Sequence, residues 1–366
     1  LTYTVTPKSG ASGSCDGQPF TVTVTVNPTP TLTQPENQVI CSNLNTQAIT
    51  FNSNVVNTTY TWSNTNTTIG LGASGTGNIN TFKATNTGIT PQTATITVTP
   101  TANGCPGASK PFTITVNPTP KISNKTMTIC SGENFSLSPT NGNGDIVPSN
   151  TTYSWSEPEP QTGISGLAAG TNETIISGTL QNTSTSPKTI VYTITLTSGA
   201  QGNCSGQTFT LSVTVNPKPV SLALTNKDYC NGTAVPQLNL TNSVSGTTYT
   251  WTNSNPAIGL AASSTGNVTS IPAFTATNNT SNSITATIKL YPTFTNGGKS
   301  CTGAMEEFDI TVNPEAVVLF SKGNQTKCSG ETTDEVILSS ATNNVTFNWT
   351  ATKPTGITGP FVNSGT

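Results

Sequence analysis

The chain has 366 residues, of which only 8% are charged, with a net charge of −2 and no histidine. All thirteen basic residues are lysines. That balance supplies neither a basic footprint for nucleic acid nor a polybasic patch for anionic lipid. The missing imidazole excludes Ser/His/Asp and Cys/His nucleophile systems.

One unit recurs along the chain: a cysteine, a tryptophan, a second cysteine, then a threonine-rich strand closing on Asn-Pro. The second cysteines (Cys15, Cys105, Cys204, Cys301) each stand 12 residues before an asparagine of Asn27-Pro28, Asn117-Pro118, Asn216-Pro217 or Asn313-Pro314. Trp62, Trp155, Trp251 and Trp349 recur at intervals of 93, 96 and 98 residues, the size of a small domain. The spacing predicts complete repeats at 29–118, 119–217 and 218–314. Residues 1–28 read as the C-terminal part of another repeat and 315–366 as the N-terminal part of a further one. The sequence therefore reads as a window on a longer array.

In the first complete repeat, Ala48–Asn52, Thr59–Ser63, Thr81–Ala84, Ala94–Thr99 and Pro111–Val116 alternate apolar with polar residues, the period of a strand with one buried face. The last strand repeats as Phe20/Val22/Val24/Val26, Phe112/Ile114/Val116, Phe209/Leu211/Val213/Val215 and Phe308/Ile310/Val312. Asn-Gly turns separate strands, and no stretch has helical periodicity with caps. The fold class is all-β, a tandem array of Ig-like or PKD-like antiparallel sandwiches in an elongated rod. Trp62, Trp155, Trp251 and Trp349 are expected in the cores, each two residues after an aromatic.

Eight cysteines at repeat-locked positions imply disulfides and an oxidising compartment. Pairing within repeats joins Cys41–Cys105, Cys130–Cys204 and Cys230–Cys301, and leaves Cys15 and Cys328 to partners outside the window. Pairing across boundaries joins Cys15–Cys41, Cys105–Cys130, Cys204–Cys230 and Cys301–Cys328. Each first cysteine lies near its repeat's start, and each second cysteine lies in the loop before the last strand. If the chain comes in at one pole of the sandwich, that loop sits at the same pole, which favours pairing within repeats. Cross-boundary partners would stand about 35 Å apart along the last strand, far beyond disulfide reach.

Other motifs are weak. Gly70-Leu-Gly-Ala-Ser-Gly fits a dinucleotide fingerprint, but the equivalents at Gly166 and Gly259 break it and no helix follows. Glu157 with Glu159, and Glu306 with Glu307, read as solvated charge. No cofactor or metal site is expected, and no enzyme activity. The junctions carry Pro28 and Pro30, Pro118 and Pro120, Pro217 and Pro219, whereas the fourth keeps only Pro314. Proline fixes φ and removes a donor, so these links are expected to be extended and semi-rigid.

The phrases Ile129-Cys-Ser-Gly, Tyr60-Thr-Trp, Ile258-Gly-Leu-Ala-Ala-Ser, Phe274-Thr-Ala-Thr-Asn and Val116-Asn-Pro-Thr-Pro form a set. Together they resemble the PKD-like repeats of very large Bacteroidota cell-surface proteins, the SprB-type gliding-motility adhesin family. The Gly-Asp-Gly turn frequent in PKD domains is missing. The resemblance implies type IX export and display at the cell surface, attached to the outer membrane, as a filament for attachment and gliding. Implied partners are neighbouring repeats, extracellular surfaces or polysaccharide, and outer-membrane secretion or motility machinery or accessory subunits. The alternative reading is a set of polysaccharide-binding accessory modules of a secreted protein.

Overall fold

The computed structural model describes residues 1–200, 202–220, 222–358, 362 and 364–365. Among them the chain is all-β, and its helical pieces are two single 3-10 turns, Thr67–Ile69 and Pro256–Ile258. Three hydrophobic clusters, drawn from Leu32–Val116, Ile122–Val215 and Leu222–Val312, form the cores of three sandwiches in tandem.

The main sheet of each sandwich has the same plan. A leading strand (Gln38–Cys41, Lys125–Cys130 or Lys227–Cys230) lies parallel to a closing strand (Lys110–Asn117, Phe209–Asn216 or Glu306–Asn313). The closing strand pairs antiparallel with a long strand (Gln92–Ala102, Lys188–Thr197 or Ile284–Asn296). Beyond it runs the tryptophan strand, Thr59–Asn64, Thr152–Trp155 or Thr248–Asn253. A second layer of short pairs, such as Asn134–Leu137 with Ile176–Thr179, covers the inner face.

Alternation explains why these segments become half-buried strands. Ala94, Ile96 and Val98 are fully buried, and Thr93, Thr95 and Thr97 between them face outward. Threonines oppose one another across the outer face: Thr93–Thr115, Thr189–Thr214 and Thr285–Thr311 each place their hydroxyls 3.0 Å apart. Such cross-strand pairs stabilise a sheet without charge. Two segments expected as strands, Ala48–Asn52 and Thr81–Ala84, instead make isolated bridges at Ile49↔Ile79 and Asn45↔Lys83. Their apolar positions still face inward, with Ile49 and Phe51 buried. The Phe51 N–H goes to the Asn78 side chain at 2.9 Å, so a side-chain acceptor replaces a strand partner.

Trp155 and Trp251 are buried, Trp62 is half-buried and Trp349 is 39% exposed. Three indoles lie beneath a glycine: a Cβ on Gly75, Gly170 or Gly365 would fall 2.2, 2.4 or 2.5 Å from the ring of Trp62, Trp155 or Trp349. Towards the chain ends the apolar faces are open. Phe20, Val22 and Val24 are exposed, whereas Phe112, Ile114 and Val116 at matching positions are buried.

The chain comes into each sandwich past its last hairpin. A Cβ on Gly107, Gly206 or Gly303 would lie 1.9, 2.2 or 2.5 Å from the carbonyl of Pro30, Pro120 or Pro219 respectively. This close backbone approach accounts for the glycine two residues after Cys105, Cys204 and Cys301. Gly206→Ala is expected to destabilise the middle sandwich by about 1–3 kcal/mol through overpacking, measured by calorimetry.

Glu306, expected in solvent, is buried, and its carboxylate accepts the Leu222 N–H at 2.7 Å while Oε1 has no partner. Its neighbour Glu307 remains exposed beside Lys289. Burial raises the Glu306 pKa, and the Leu222 hydrogen bond only partly opposes this. Stability from this group is therefore full below the ordinary glutamate range and is lost as pH rises through the raised folded value. Glu306→Gln should raise the third sandwich's melting temperature at pH 7, with a smaller gain at pH 4. An equal gain at both pH values would contradict the assignment.

Candidate functional site at the junction

The leading and closing strands run in step from pole to pole. In the first sandwich Pro30 meets Gly107, Gln34 donates to the Pro111 carbonyl at 2.8 Å, and Asn37 accepts the Thr113 N–H at 2.7 Å. The pairing ends with Cys41 beside Asn117. In the second, Asn124 accepts the Thr210 N–H at 2.9 Å and Cys130 ends beside Asn216. In the third, Asn226 accepts from Asp309 at 2.9 Å and Cys230 ends beside Asn313. Each first cysteine thus lies at the C-terminal pole, next to the outgoing Asn-Pro. Each second cysteine, just ahead of the closing strand, lies at the N-terminal pole.

This geometry overturns the pairing expected within repeats. The bridges are Cys41–Cys204 and Cys130–Cys301, both with Cα atoms 5.5 Å apart. They replace Cys41–Cys105, Cys130–Cys204 and Cys230–Cys301. The placement of the second cysteine holds, but the first is carried across the sandwich by ten extended residues, about 33 Å of strand. It therefore meets the second cysteine of the following sandwich. Cys15, Cys105, Cys230 and Cys328 are free thiols.

Polar contacts surround the Cys130–Cys301 bridge. Asn216 donates to the Asn296 and Lys299 carbonyls at 3.0 and 3.4 Å, and Asn296 donates back to Asn216 Oδ1 at 2.9 Å. Asn27 makes the corresponding contact to the Asn103 carbonyl at 3.2 Å. The Asn296–Lys299 hairpin turns through Gly297 and Gly298 at positive φ, and Gly297 lies against Thr128 of the preceding sandwich. Glu133 caps the Cys130 N–H at 3.0 Å and pairs with Lys299 at 2.9 Å, and these contacts lower its pKa in that order. The linkers are packed: Pro30, Pro118, Pro120, Pro217 and Pro219 are buried, Pro314 is half-buried, and Pro28 is exposed.

A buried asparagine locks each C-terminal pole. Asn86, Asn182 and Asn278 donate to the carbonyls of Val116, Val215 and Val312 at 2.8, 2.8 and 2.7 Å. Their own N–H groups go to Ser42, Ser131 and Asn231, the residues after each first cysteine. In the middle sandwich Lys125 and the Ser123 N–H reach Asp145 at 2.6 and 2.7 Å. Burial works against the Asp145 charge, yet these hydrogen bonds outweigh it and hold the carboxyl below its usual range.

The remaining sequence candidates lie elsewhere. Glu157 and Glu159 are exposed. Gly70, Gly166 and Gly259 sit where a Cβ would come within 2.1 to 2.5 Å of a carbonyl oxygen, which gives these glycines a packing role. Among the described residues no group of three or more His, Cys, Asp or Glu could hold a metal. A half-open cleft of about 840 Å³ flanks the Cys41–Cys204 bridge, lined in part by Lys83, Asn86, Lys121 and Gln207.

Three sets of junction residues escaped the sequence reading: the buried asparagines, the strand-bridging Asn37/Asn124/Asn226, and the glycines Gly107/Gly206/Gly303. All recur with the repeat, so their signal was periodicity. In a chain so rich in Asn, Thr and Gly that signal carries little contrast.

A family model described as PKD-like domain matches residues 1–30, 38–120 and 127–219. Solved structures resemble the chain at low identity. An I-band fragment of titin has TM-score 0.38 and 13% identity, covering 78% of this chain and 98% of that one. The EC22-24 fragment of mouse cadherin-23 has TM-score 0.31 and 11% identity, covering 79% of this chain and 100% of that one. The human desmocollin-1 ectodomain has TM-score 0.28 and 9% identity, covering 90% and 71%. No curated protein matches the chain.

Peptide mapping without reductant should recover Cys41 linked to Cys204 and Cys130 linked to Cys301. Cys15, Cys105, Cys230 and Cys328 should be alkylated. Recovery of Cys130–Cys204 within one sandwich would refute the junction described above.

Proposed function

The chain belongs to the PKD-like domain family, and we propose on that premise that it is a stalk segment of an exported cell-surface adhesin. In this reading each repeat (29–118, 119–217, 218–314) is a spacer, with residues 1–28 and 315–366 contributing to further spacers. The stalk presents adhesive regions to extracellular surfaces or polysaccharide. We extend the proposal to outer-membrane attachment, type IX export and gliding motility, on the family resemblance in the repeat phrases.

The single observation that carries the proposal is the junction, in which the C-terminal pole of one sandwich is bonded to the N-terminal pole of the next. Pole-to-pole joining adds length with every repeat. Disulfides also suit an oxidising space outside the cytoplasm. The polysaccharide-module reading needs exposed aromatics at matched positions, whereas Trp155 and Trp251 are buried.

Negative-stain images of the chain should show beaded rods with roughly 35–45 Å per sandwich, set by strand length. Compact particles with sandwiches folded back on one another would defeat the stalk reading.

A further inference from the structure

We propose that the cystine pattern turns this chain into two parallel covalent tension lines that bypass the folded sheets. The first line runs from Cys15 through the Asn27-Pro28 linker to Cys41, crosses the bridge to Cys204, and continues through Asn216-Pro217 to Cys230. The second runs from Cys105 through Asn117-Pro118 to Cys130, crosses to Cys301, and continues through Asn313-Pro314 to Cys328. Within this chain line one is traced between Cys15 and Cys230 and line two between Cys105 and Cys328, the four cysteines that make no bridge here.

Every sandwich holds one segment of each line. In the first, the leading strand belongs to line one and the closing strand to line two. In the second the roles exchange, and in the third they exchange back. The two segments lie side by side as the parallel pair described above, hydrogen-bonded along their length. Both point from the N-terminal to the C-terminal pole, so both lie along the axis that joins one junction to the next.

The lines contain almost no slack. Between Thr31 and Lys218 line one uses about 24 residues, which reach some 80–85 Å when fully stretched. Those residues already cross two sandwiches as extended chain. The stretch enclosed by the bridge, 163 residues in sequence, would reach roughly 540–590 Å if it unravelled. With the bridge closed, tension between these points finds a taut path first, and the long and tryptophan strands of both sandwiches carry none of it. The inference depends on the bridge geometry, not on where the chain is displayed or what it adheres to.

Single-molecule stretching tests it, with handles attached through non-thiol chemistry at the exposed residues Thr31 and Lys218 of the full chain. With the bridges mapped intact, no extension step larger than about 20 Å should precede rupture of the tether. After reductant is added to the same folded preparation, unfolding steps totalling several hundred ångström should appear, and Cys41→Ser should give them without reductant. Steps above about 20 Å in oxidised molecules would reveal slack and overturn the proposal. Equal behaviour before and after reduction would overturn it as well. Rods in images with slack lines under force would reject the tension lines alone, and compact particles would reject the stalk alone.

Discussion

The parallel pairing of leading and closing strands is the constraint on which the rest of the structure depends. Antiparallel neighbours would return the chain to the pole it came from. A parallel pair carries both segments from one pole to the other in register, with Cys41, Cys130 and Cys230 opposite the asparagines of Asn-Pro. From that register follow the separation of the two cysteines of a repeat, their pairing with neighbouring repeats, and the stacking of the linker against the last hairpin. The asparagines at 37, 124 and 226 support the pairing where regular strand hydrogen bonding has not yet begun.

A chain with so few charges must make its junctions from neutral groups and sulfur. The Glu133–Lys299 pair is half-exposed, a setting in which ion pairs contribute about 0–1 kcal/mol. Asparagine supplies donor and acceptor together and can satisfy backbone groups left at a strand end or hairpin. Asn216 and Asn296 exchange such bonds across the junction, and Asn182 satisfies the carbonyl just before the linker. Buried linker prolines fit the same economy, because a proline has no N–H that would need a partner. The linker is thereby part of the packed structure and not a free tether.

The sandwich class was legible from the two-residue alternation of Ala94–Thr99 and Pro111–Val116, since burial of one face writes directly into the pattern. The position of the second cysteine was legible too, from the turn residues around Cys105 and Cys204. The first cysteine was misplaced for a physical reason. Residues 31–37 show no clean alternation, yet side chains such as Gln34 and Asn37 hold them extended beside the closing strand. Proximity to the repeat's start in sequence thus became distance from it in space. Glu306 misled similarly: a charged residue at a strand start normally lies in water, but here the Leu222 amide draws it inward.

The two pairing schemes differ in what holds neighbouring sandwiches together. A bridge inside a repeat would staple one sandwich and leave its neighbour attached by a single peptide path. The observed bridges give the first and second sandwiches two covalent connections, the linker at Asn117-Pro118 and the bond between Cys41 and Cys204. The second and third have the linker at Asn216-Pro217 and the bond between Cys130 and Cys301. A cut anywhere between residues 41 and 204 opens one path and leaves the other closed. Because the two bridged spans overlap between residues 130 and 204, the middle sandwich is tied to both neighbours through sulfur as well as backbone. An arrangement of this kind converts a series of separately folded beads into one covalent body while each bead keeps its own core.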